Sequence, residues 1–259
     1  MKGRSISIGN GEGKAVVLKE AFSFLGGVNS KTGELSVATG RAGTSIKNRV
    51  FIFPKGRGST VGSYTLLDMK KHENQPSAII NERAEPIVAT GAVMANVPMV
   101  DSLDISLFRE GDDVFVDGTT GVVSIAGVKE SEVTTSILRC GDRILILKRS
   151  EKVGTNQGKW AGVSGYIEAG EDPEQTAPRE IREELSLDKF VLAGKADPVT
   201  IRETGHIWTI YPFLFETESE DVTIDWEHTE HKWVNPAEVK EYDVVPGFLR
   251  LLEDLKLTR

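Results

Sequence analysis

Three glutamates, Glu180, Glu183 and Glu184, are spaced three and four residues apart in the sequence. Residues at these spacings lie on one face of an α-helix. Carboxylates held so close repel one another unless a cation lies among them, and their oxygens are the ligands that Mg²⁺ and Mn²⁺ prefer. The spacing therefore predicts a divalent-metal site; the alternative is a solvated acidic helix face, since Glu is also a good helix former.

One segment must supply that helix: GYIEAGEDPEQTAPREIREELSL, residues 165–187. Asp172 has the residue type of an N-cap, and Pro173 suits the first helical position. Pro178 lies deeper, where its missing N–H and its ring oppose a regular helix. We therefore expect a helix that begins near Asp172, with a kink or an early irregular turn at Pro178.

The same segment resembles the Nudix box, G-x5-E-x7-R-E-U-x-E-E-x-G-U, in which U is a bulky aliphatic residue. Every defined position matches except the last glycine, which is Ser186 here. That glycine follows the helix and is expected to favour a positive φ, so the serine adds strain but removes no ligand. The resemblance assigns structural roles to Gly165, Glu171 and Arg179, and the last two are expected to pair and orient the loop.

The resemblance implies a metal-dependent hydrolase with the α/β/α sandwich of the Nudix fold. Glu180, Glu183 and Glu184 would hold one or more Mg²⁺ or Mn²⁺ ions, and we take Glu183 as the general base on the attacking water. Family members generally cleave a nucleoside diphosphate linked to another group, through attack of water on phosphorus. The metal neutralises the charge that develops on the phosphoryl oxygens.

Two alternatives to hydrolysis stay open for this half of the chain. The first is a unit that binds a nucleotide without cleaving it and so regulates the other half. The second is isopentenyl diphosphate isomerase, which shares the fold but needs a catalytic cysteine in its own motif. The single cysteine, Cys140, lies outside any recognisable version of that motif. The intact glutamates favour hydrolysis over both.

Residues outside the box are candidates for completing the site. A further acidic ligand often comes from a later loop in this family, and Glu227 in DWEHTEHKW is our first candidate, with Glu230 second. Both could equally be solvated loop residues. Trp160 and Trp208 could stack on a nucleotide base, or they could be buried anchors of the core.

The first half of the chain contains a second pattern with chemical meaning. Residues 50–53, VFIF, predict a short buried strand, a glycine-rich stretch follows at residues 56–63, and YTLLDMKK then has helical periodicity. A strand, a glycine turn and a helix together present backbone N–H groups to an anion. The alternative is a tight turn in which Ser59 or Thr60 caps the helix.

Several blocks of this half closely resemble the small subunit of the aconitase X family, whose archaeal branch is phosphomevalonate dehydratase. They are GEGKAVVLKEAFSFLGGVNSKTGEL, GTSIKNRVFIFPKGRGSTVGSY, SAIINERAEPIVATGAVMANVPMVDSL and GDDVFVDGTTGVVSI, and they cover residues 1–126. The resemblance implies a swivelling β/β/α domain that works with a separate large subunit. That partner would carry an iron–sulfur cluster, for which this chain lacks the cysteines.

The resemblance also implies a lyase site at the glycine turn. Ser59 corresponds to the family's serine base, and Gly56, Arg57, Gly58 and Thr60 would bind substrate. The reaction implied is dehydration of 5-phosphomevalonate to an anhydro product; a different hydroxy acid is the alternative substrate. A serine must be held as an alkoxide by N–H groups and cations to act as a base. Two further family-like positions, Gly26-Gly27 and Arg83, are expected near the same cleft.

Composition supports two soluble domains. The chain has 259 residues, 39% hydrophobic and 27% charged, with a net charge of −8 that argues against a general nucleic-acid binder. Residues 1–128 carry 14 basic and 13 acidic side chains, whereas the remainder carries 17 and 26 and all four tryptophans. We therefore expect domains at 1–128 and 133–259 joined by the polar linker 126–132. No apolar run or leader-like segment stands out, so a cytoplasmic protein without membrane contact is expected.

Overall fold

The computed structural model describes residues 1–168 and 170–258 of the chain. The chain divides into two compact units, Met1–Val128 and a second that begins at Lys129. Both units have the α/β architecture expected from the sequence, with a sheet and packed helices in each. No helix in the described ranges combines the length and the apolar character that crossing a bilayer requires.

The first unit is built on a seven-stranded sheet in the order β1-β5-β4-β3-β2-β6-β7. Strands β2 to β5 run parallel to their neighbours in this sheet, and β1, β6 and β7 add to it antiparallel. The elements are β1 (Arg4–Ser7), β2 (Asn10–Val17), α1 (Phe24–Gly27), β3 (Val50–Lys55), α2 (Val61–Lys71), β4 (Ala78–Arg83), α3 (Pro86–Ala95), β5 (Met99–Asp101), β6 (Asp113–Asp117) and β7 (Val122–Ile125), with 3-10 turns at Val37–Thr39 and Ile105–Leu107.

A cluster of phenylalanines organises the core of the first unit. The continuous apolar run at the start of β3 is fully buried, as is typical of a parallel strand covered on both faces. The rings of Phe22 and Phe51 meet edge to face with centroids 4.8 Å apart, and Phe24 and Phe53 complete the cluster. Leu66 and other buried residues of α2 and α3 pack against it. This packing fixes the end of β3, where the glycine turn begins.

The second unit is built on an eight-stranded sheet with the central order β10-β9-β8-β14-β12. Strands β8 and β14 form its parallel centre, while β11 pairs with β8, β13 with β14, and β15 with β9. The elements are β8 (Lys129–Cys140), β9 (Arg143–Arg149), β10 (Trp160–Ala161), β11 (Val163–Tyr166), α4 (Pro173–Leu185), β12 (Val191–Lys195), β13 (Val199–Glu203), β14 (His206–Glu216), β15 (His228–Val234), a 3-10 helix (Pro236–Glu241) and α5 (Phe248–Asp254).

Alternating residues of this sheet divide it into two cores. Leu138 and Leu145 pack with Ile181 of α4 on one face, whereas Ile137 packs with Phe248 of α5 on the other. The period-2 alternation of a strand makes this division possible. The second unit is therefore the α/β/α sandwich that the sequence predicted.

The structure corrects the boundary expected between the two domains. Only residues 126–128 of the predicted linker lie outside regular strands, because the polar start of β8 pairs with the start of β14. Residues 221–227 have the composition of a strand but are irregular, since their backbone bonds to the end of α4 rather than to a sheet. The following Pro236–Glu241 segment is a 3-10 helix with an Asn235 capping box.

Candidate functional site

Helix α4 carries the three glutamates, and the sequence explains where it begins and ends. Asp172 is the N-cap, and its side chain accepts a hydrogen bond of 2.9 Å from the Glu174 N–H. The helix continues through Pro178 to Leu185 without a break, so the expected irregular turn at Pro178 is not found. Ser186 has a φ of 49° and donates its N–H to the Arg182 carbonyl, which confirms the strained left-handed position at the end of the box.

The three glutamates share a face but differ sharply in depth. The exposed fraction of the side chain is 4% for Glu184, 14% for Glu180 and 59% for Glu183. Burial of Thr176, Ala177, Ile181 and Leu185 sets this rotation of the helix. Glu184 therefore points into the protein while Glu183 reaches the solvent.

Arg179 lies among the carboxylates. Its guanidinium is 2.8 Å from Glu180, 3.2 Å from Glu183 and 3.4 Å from Glu171. The Glu171 carboxylate also accepts from the Glu168 N–H, which is the main reason that its pKa is lowered. Arg179 and Glu171 thus pair as expected and join the loop before α4 to the helix.

Gly165 explains why a residue without a side chain opens the box. A Cβ at this position of β11 would lie 2.1 Å from the Glu180 carboxyl carbon. That distance is far inside van der Waals contact, so any side chain would displace Glu180. The glycine lets the strand approach the helix closely enough to bury most of Glu180.

A neighbouring loop brings a fourth carboxylate to the cluster. The Thr223 and Asp225 N–H groups donate to the last carbonyls of α4, at Leu185 and Glu184, which places the loop against the helix. Burial and the adjacent Asp225 raise the pKa of Glu227. The charge of Glu227 in turn raises the pKa of both Glu180 and Glu184, so Glu227 lies beside these two residues.

Burial and mutual repulsion strain the charges in this cluster. Burial first, and then Glu227, Glu180 and Asp225, raise the pKa of Glu184 well above the usual glutamate range. Burial also raises the pKa of Glu180, and its Arg179 partner opposes that shift. Such a set of carboxylates has a strong tendency to bind either protons or a cation.

His228 is a residue of this cluster that the sequence interpretation missed. Its buried ring lies 3.6 Å from a Glu184 oxygen and 3.4 Å from an Asp225 oxygen, and burial lowers its pKa. The only signal was its place directly after Glu227 in the motif DWEHTEH. Glu230, by contrast, forms a 2.6 Å ion pair with Lys148 away from the cluster.

The donor chemistry of the cluster fits a hard divalent cation. The carboxylates of the cluster offer oxygen atoms as ligands, which a hard divalent cation prefers. The buried Glu184 Oε2 has no hydrogen-bond partner among the described residues. In the parts of the chain that the structure describes, no three acidic, histidine or cysteine side chains are gathered tightly enough to hold an ion as placed. Arg179 occupies the space between Glu180 and Glu183, so ion binding requires those side chains to turn away from it.

A cavity of about 100 Å³ adjoins the cluster. Gly165 and Arg149 line this cavity. The positive charge of Arg149 also lowers the pKa of Glu227 and so opposes the effect of burial on that carboxyl. Trp208 lines the same cavity, whereas Trp160 is packed in the core against Tyr242. Of the two candidate stacking residues, Trp208 therefore lines a space that a ligand could enter.

The glycine turn of the first unit lies between β3 and α2. Gly56 is buried, and a Cβ there would come 2.6 Å from Val88; Gly58 has a φ of 104°. Ser59 is exposed, and its hydroxyl accepts from the Val61 N–H at 3.3 Å. Thr60 precedes the helix in αR geometry and makes no side-chain cap.

A second cavity, of about 440 Å³, adjoins this turn. Arg57, Gly26 and Gly27 line it together with Ser23, and the Arg57 N–H donates to the Phe22 carbonyl at 2.9 Å. Arg83 ends β4 beside Lys55 and is not part of this lining. The turn thus combines close backbone approach, an exposed hydroxyl and one cation.

Comparison with known proteins divides the chain in the same place. Residues 1–125 match the family model for the aconitase X swivel domain, and residues 130–255 match that for the NUDIX domain. The first part is 48% identical over 125 residues to the phosphomevalonate dehydratase small subunit of Methanocaldococcus jannaschii, which covers 48% of this chain and 96% of that protein. The small subunit of the same name from Thermococcus kodakarensis is 45% identical, over 48% of this chain and 95% of that protein.

Solved structures resemble each half separately. The holo-form crystal structure of Thermococcus kodakaraensis aconitase X has 46% identity and a TM-score of 0.47, over 48% of this chain and 95% of that chain. The crystal structure of a MutT protein from Methanosarcina mazei Go1 has 24% identity and a TM-score of 0.45, over 50% of this chain and 94% of that chain.

Proposed function

Since this chain belongs to the aconitase X swivel-domain family and continues into a Nudix domain, we propose that it combines a dehydratase small subunit with a metal-dependent hydrolase. The two activities lie in separate units and use separate residues. Each is supported by its own observations and has its own test.

The hydrolase proposal rests on the convergence of Glu180, Glu183, Glu184 and Glu227 beside a cavity that Arg149 also lines. Bound Mg²⁺ or Mn²⁺ would neutralise charge on the phosphoryl oxygens of a nucleoside diphosphate derivative. Glu180, Glu184 and Glu227 would hold the ion because they are the buried or half-buried members. Glu183, the exposed member, would take a proton from the attacking water as the new O–P bond forms and the old one breaks.

Arg179 and Arg149 have positioning roles in this proposal. Arg179 would keep its contact with Glu171, and so hold the loop before α4, while it releases Glu180 and Glu183 to the ion. Arg149 would face the substrate's phosphates between the cavity and Glu227. A guanidinium fork matches phosphate geometry and keeps its charge at every physiological pH.

Mg²⁺-dependent hydrolysis across a panel of nucleoside diphosphate derivatives tests this proposal. We expect turnover by the full chain, with Glu183→Gln reducing kcat by a factor of roughly a hundred or more through loss of the base. Glu253→Gln, which changes the same charge at an exposed position of α5, is the matched control. Tight nucleotide binding without turnover would instead support a regulatory, binding-only unit.

The lyase proposal rests on the 48% identity over 125 residues to a phosphomevalonate dehydratase small subunit and on the glycine turn. Ser59 would remove the proton next to the substrate carboxylate as hydroxide leaves the neighbouring carbon, giving an alkene and water. Arg57 and the N–H groups around Gly56 and Gly58 would hold the anionic groups. The single cysteine of this chain cannot hold an iron–sulfur cluster, so a large subunit would have to hold it; when bound there, the cluster would supply a Lewis acid for the leaving hydroxyl.

Reconstitution with a large subunit tests the lyase proposal. We expect the chain alone to be inactive on 5-phosphomevalonate, and the assembled pair to dehydrate it. Ser59→Ala should abolish dehydration in the pair without weakening its assembly. Dehydration by the purified chain alone would refute the division of labour, and activity of the pair on a different hydroxy acid only would reassign the substrate.

A further inference from the structure

The parallel strands of the first unit bring their carboxyl ends to one edge of the sheet. Strands β2, β3, β4 and β5 are parallel neighbours, and the glycine turn leaves β3 at this edge. The connection from β4 to α3 leaves the sheet at the same edge. Open parallel sheets bind their ligands outside the carboxyl ends of the strands. A substrate that reaches Ser59 therefore also meets the residues that end β4.

Two basic residues end neighbouring strands at this edge. Lys55 is the last residue of β3, Arg83 is the last residue of β4, and the two are register partners in the parallel pair. Both are exposed. Adjacent strands are about 5 Å apart, so the two positive charges start from neighbouring positions. Like charges placed side by side in a sheet are unfavourable unless an anion compensates them.

These cations have no acidic partner in the protein. In the ranges 1–168 and 170–258, the side chains of Lys55, Arg57 and Arg83 form no ion pair and no hydrogen bond. Arg4 and Arg41 of the same unit each pair with a carboxylate at 2.7 Å. Three unpaired cations around one turn leave this edge with uncompensated positive charge.

The acidic side chains beside the pair are directed elsewhere. Glu82 precedes Arg83 in β4, and successive side chains of a strand point to opposite faces of the sheet. Glu85 follows Arg83, but its carboxylate lies against Gly56, where a Cβ would come 2.9 Å from Oε2. The two cations are therefore available to an anion from outside the chain.

Buried hydrogen bonds hold the strand ends that carry the pair. The Asn81 side chain is buried, and its amide nitrogen donates to the Phe53 carbonyl at 2.6 Å across β3 and β4. The buried Asp101 carboxylate accepts from the Ala84 N–H at 2.8 Å, directly after Arg83. The backbone is thus fixed on both sides of the pair, so anion binding has only the two side chains to order.

The proposed lyase substrate has more charge than the glycine turn alone compensates. Its carboxylate brings one negative charge, and a phosphate monoester brings about −1.5 to −2 near pH 7. Arg57 and the N–H groups of the turn suit the carboxylate, because Ser59 in the same turn must reach the neighbouring carbon. The phosphate, at the other end of the substrate, needs cations farther away. Lys55 precedes Arg57 by two residues, which an extended chain spans in about 7 Å.

We propose that Lys55 and Arg83 form the subsite for the phosphate monoester of the substrate and so select a phosphorylated hydroxy acid over an unphosphorylated one. The inference rests on the lyase function proposed above. The planar Arg83 guanidinium matches two phosphate oxygens, and the Lys55 ammonium supplies a point charge to a third. An unphosphorylated acid would leave the two cations without a counter-charge.

Steady-state kinetics of the chain assembled with its large subunit test the proposal, with 5-phosphomevalonate as substrate and inorganic phosphate as competitor. We expect Arg83→Gln and Lys55→Gln each to raise KM roughly tenfold or more at nearly unchanged kcat, since each removes a charged hydrogen bond made equally in the ground and transition states. Phosphate should inhibit the wild-type pair competitively and these variants more weakly. Arg83→Lys keeps the charge and should recover most of the loss. Lys47→Gln, which removes an exposed charge before the start of β3, is the matched control.

Calorimetric titration of the chain alone with inorganic phosphate separates this inference from the lyase proposal. Phosphate binding that Arg83→Gln and Lys55→Gln both weaken, without dehydration by the assembled pair, would support the subsite and refute the lyase function. Dehydration with the same KM in wild type and both variants would refute the subsite and leave the lyase function supported. A loss of kcat at constant KM would also refute it, because the two residues would then act only through the structure of the turn.

Discussion

The buried Glu184 carboxylate makes a direct prediction about the stability of the metal-free chain. Glu184→Gln keeps the size of the side chain and removes its charge. Only 4% of the Glu184 side chain is exposed to solvent. Because the pKa of Glu184 is raised in the folded state, its stabilising contribution is present below the unfolded pKa and is lost as the pH rises through the folded value. At a pH well above the folded-state pKa, the ionised Glu184 carboxylate therefore destabilises the folded state.

The size of this effect is that of neutralising a buried charge. Replacing buried ionic groups by neutral side chains of similar volume often stabilises a protein by about 1–4 kcal/mol, and burial with neighbouring carboxylates raises the pKa of Glu184. We expect Glu184→Gln to stabilise the second unit by on the order of 2 kcal/mol at mildly alkaline pH in EDTA. In a unit of this size that raises Tm by roughly 5–10 °C.

Tryptophan fluorescence is the suitable assay for unfolding of the full chain. All four tryptophans, Trp160, Trp208, Trp226 and Trp233, lie in the second unit, so the signal reports that unit alone. In EDTA the wild-type Tm should fall with rising pH more steeply than that of Glu184→Gln. Added Mg²⁺ should raise the wild-type Tm more than that of the variant, because the variant has lost a ligand.

The control for this experiment is Glu183→Gln on the same helix. Its side chain is 59% exposed, so its removal should change the metal-free stability by no more than about 0.5 kcal/mol. A Glu184→Gln chain that unfolds at a lower temperature than wild type in alkaline EDTA would refute the reasoning. So would identical pH dependence of the two proteins.

Three further substitutions test how the glutamate helix is built, each by Tm from tryptophan fluorescence. Gly165→Ala should destabilise the second unit by about 1–3 kcal/mol and weaken its response to Mg²⁺, because the new Cβ would collide with Glu180; an unchanged Tm would contradict this close contact. Ser186→Gly should stabilise it by about 0.5–1 kcal/mol by relieving the left-handed strain, and a loss of stability would count against that strain. Pro178→Ala should add about 1–3 kcal/mol by restoring a helical N–H, which a lowered Tm would disprove.

The local features of the glutamate helix could be predicted from sequence because they depend on neighbours in the chain. The Asp172 cap, the left-handed Ser186 and the pairing of Arg179 with Glu171 each involve residues no more than eight positions apart in the chain. The different depths of Glu183 and Glu184 could not be predicted. Spacing places them on one face, but only the packing of α4 on the sheet decides which one is buried.

Features that depend on docking between distant segments were the ones missed. The segment at residues 221–227 has the composition of a strand, but the free carbonyls at the end of α4 bind its N–H groups. That docking turns His228 toward Glu184, while Glu230 falls in β15 beside Lys148. Neither placement is encoded in the spacing of the residues themselves.

The parallel pairing of β8 with β14 also determines the order in which the two units can fold during synthesis. Partners such as Arg139 and Glu216 are 77 residues apart, and β8 is the first strand of its unit. The first unit can close on contacts within residues 1–128 as soon as they leave the ribosome, whereas β8 must wait for β14. Slow, non-local strand pairing leaves apolar residues such as Ile137 and Leu138 uncovered during that interval, so nascent chains that end before residue 206 are the expected targets of chaperones.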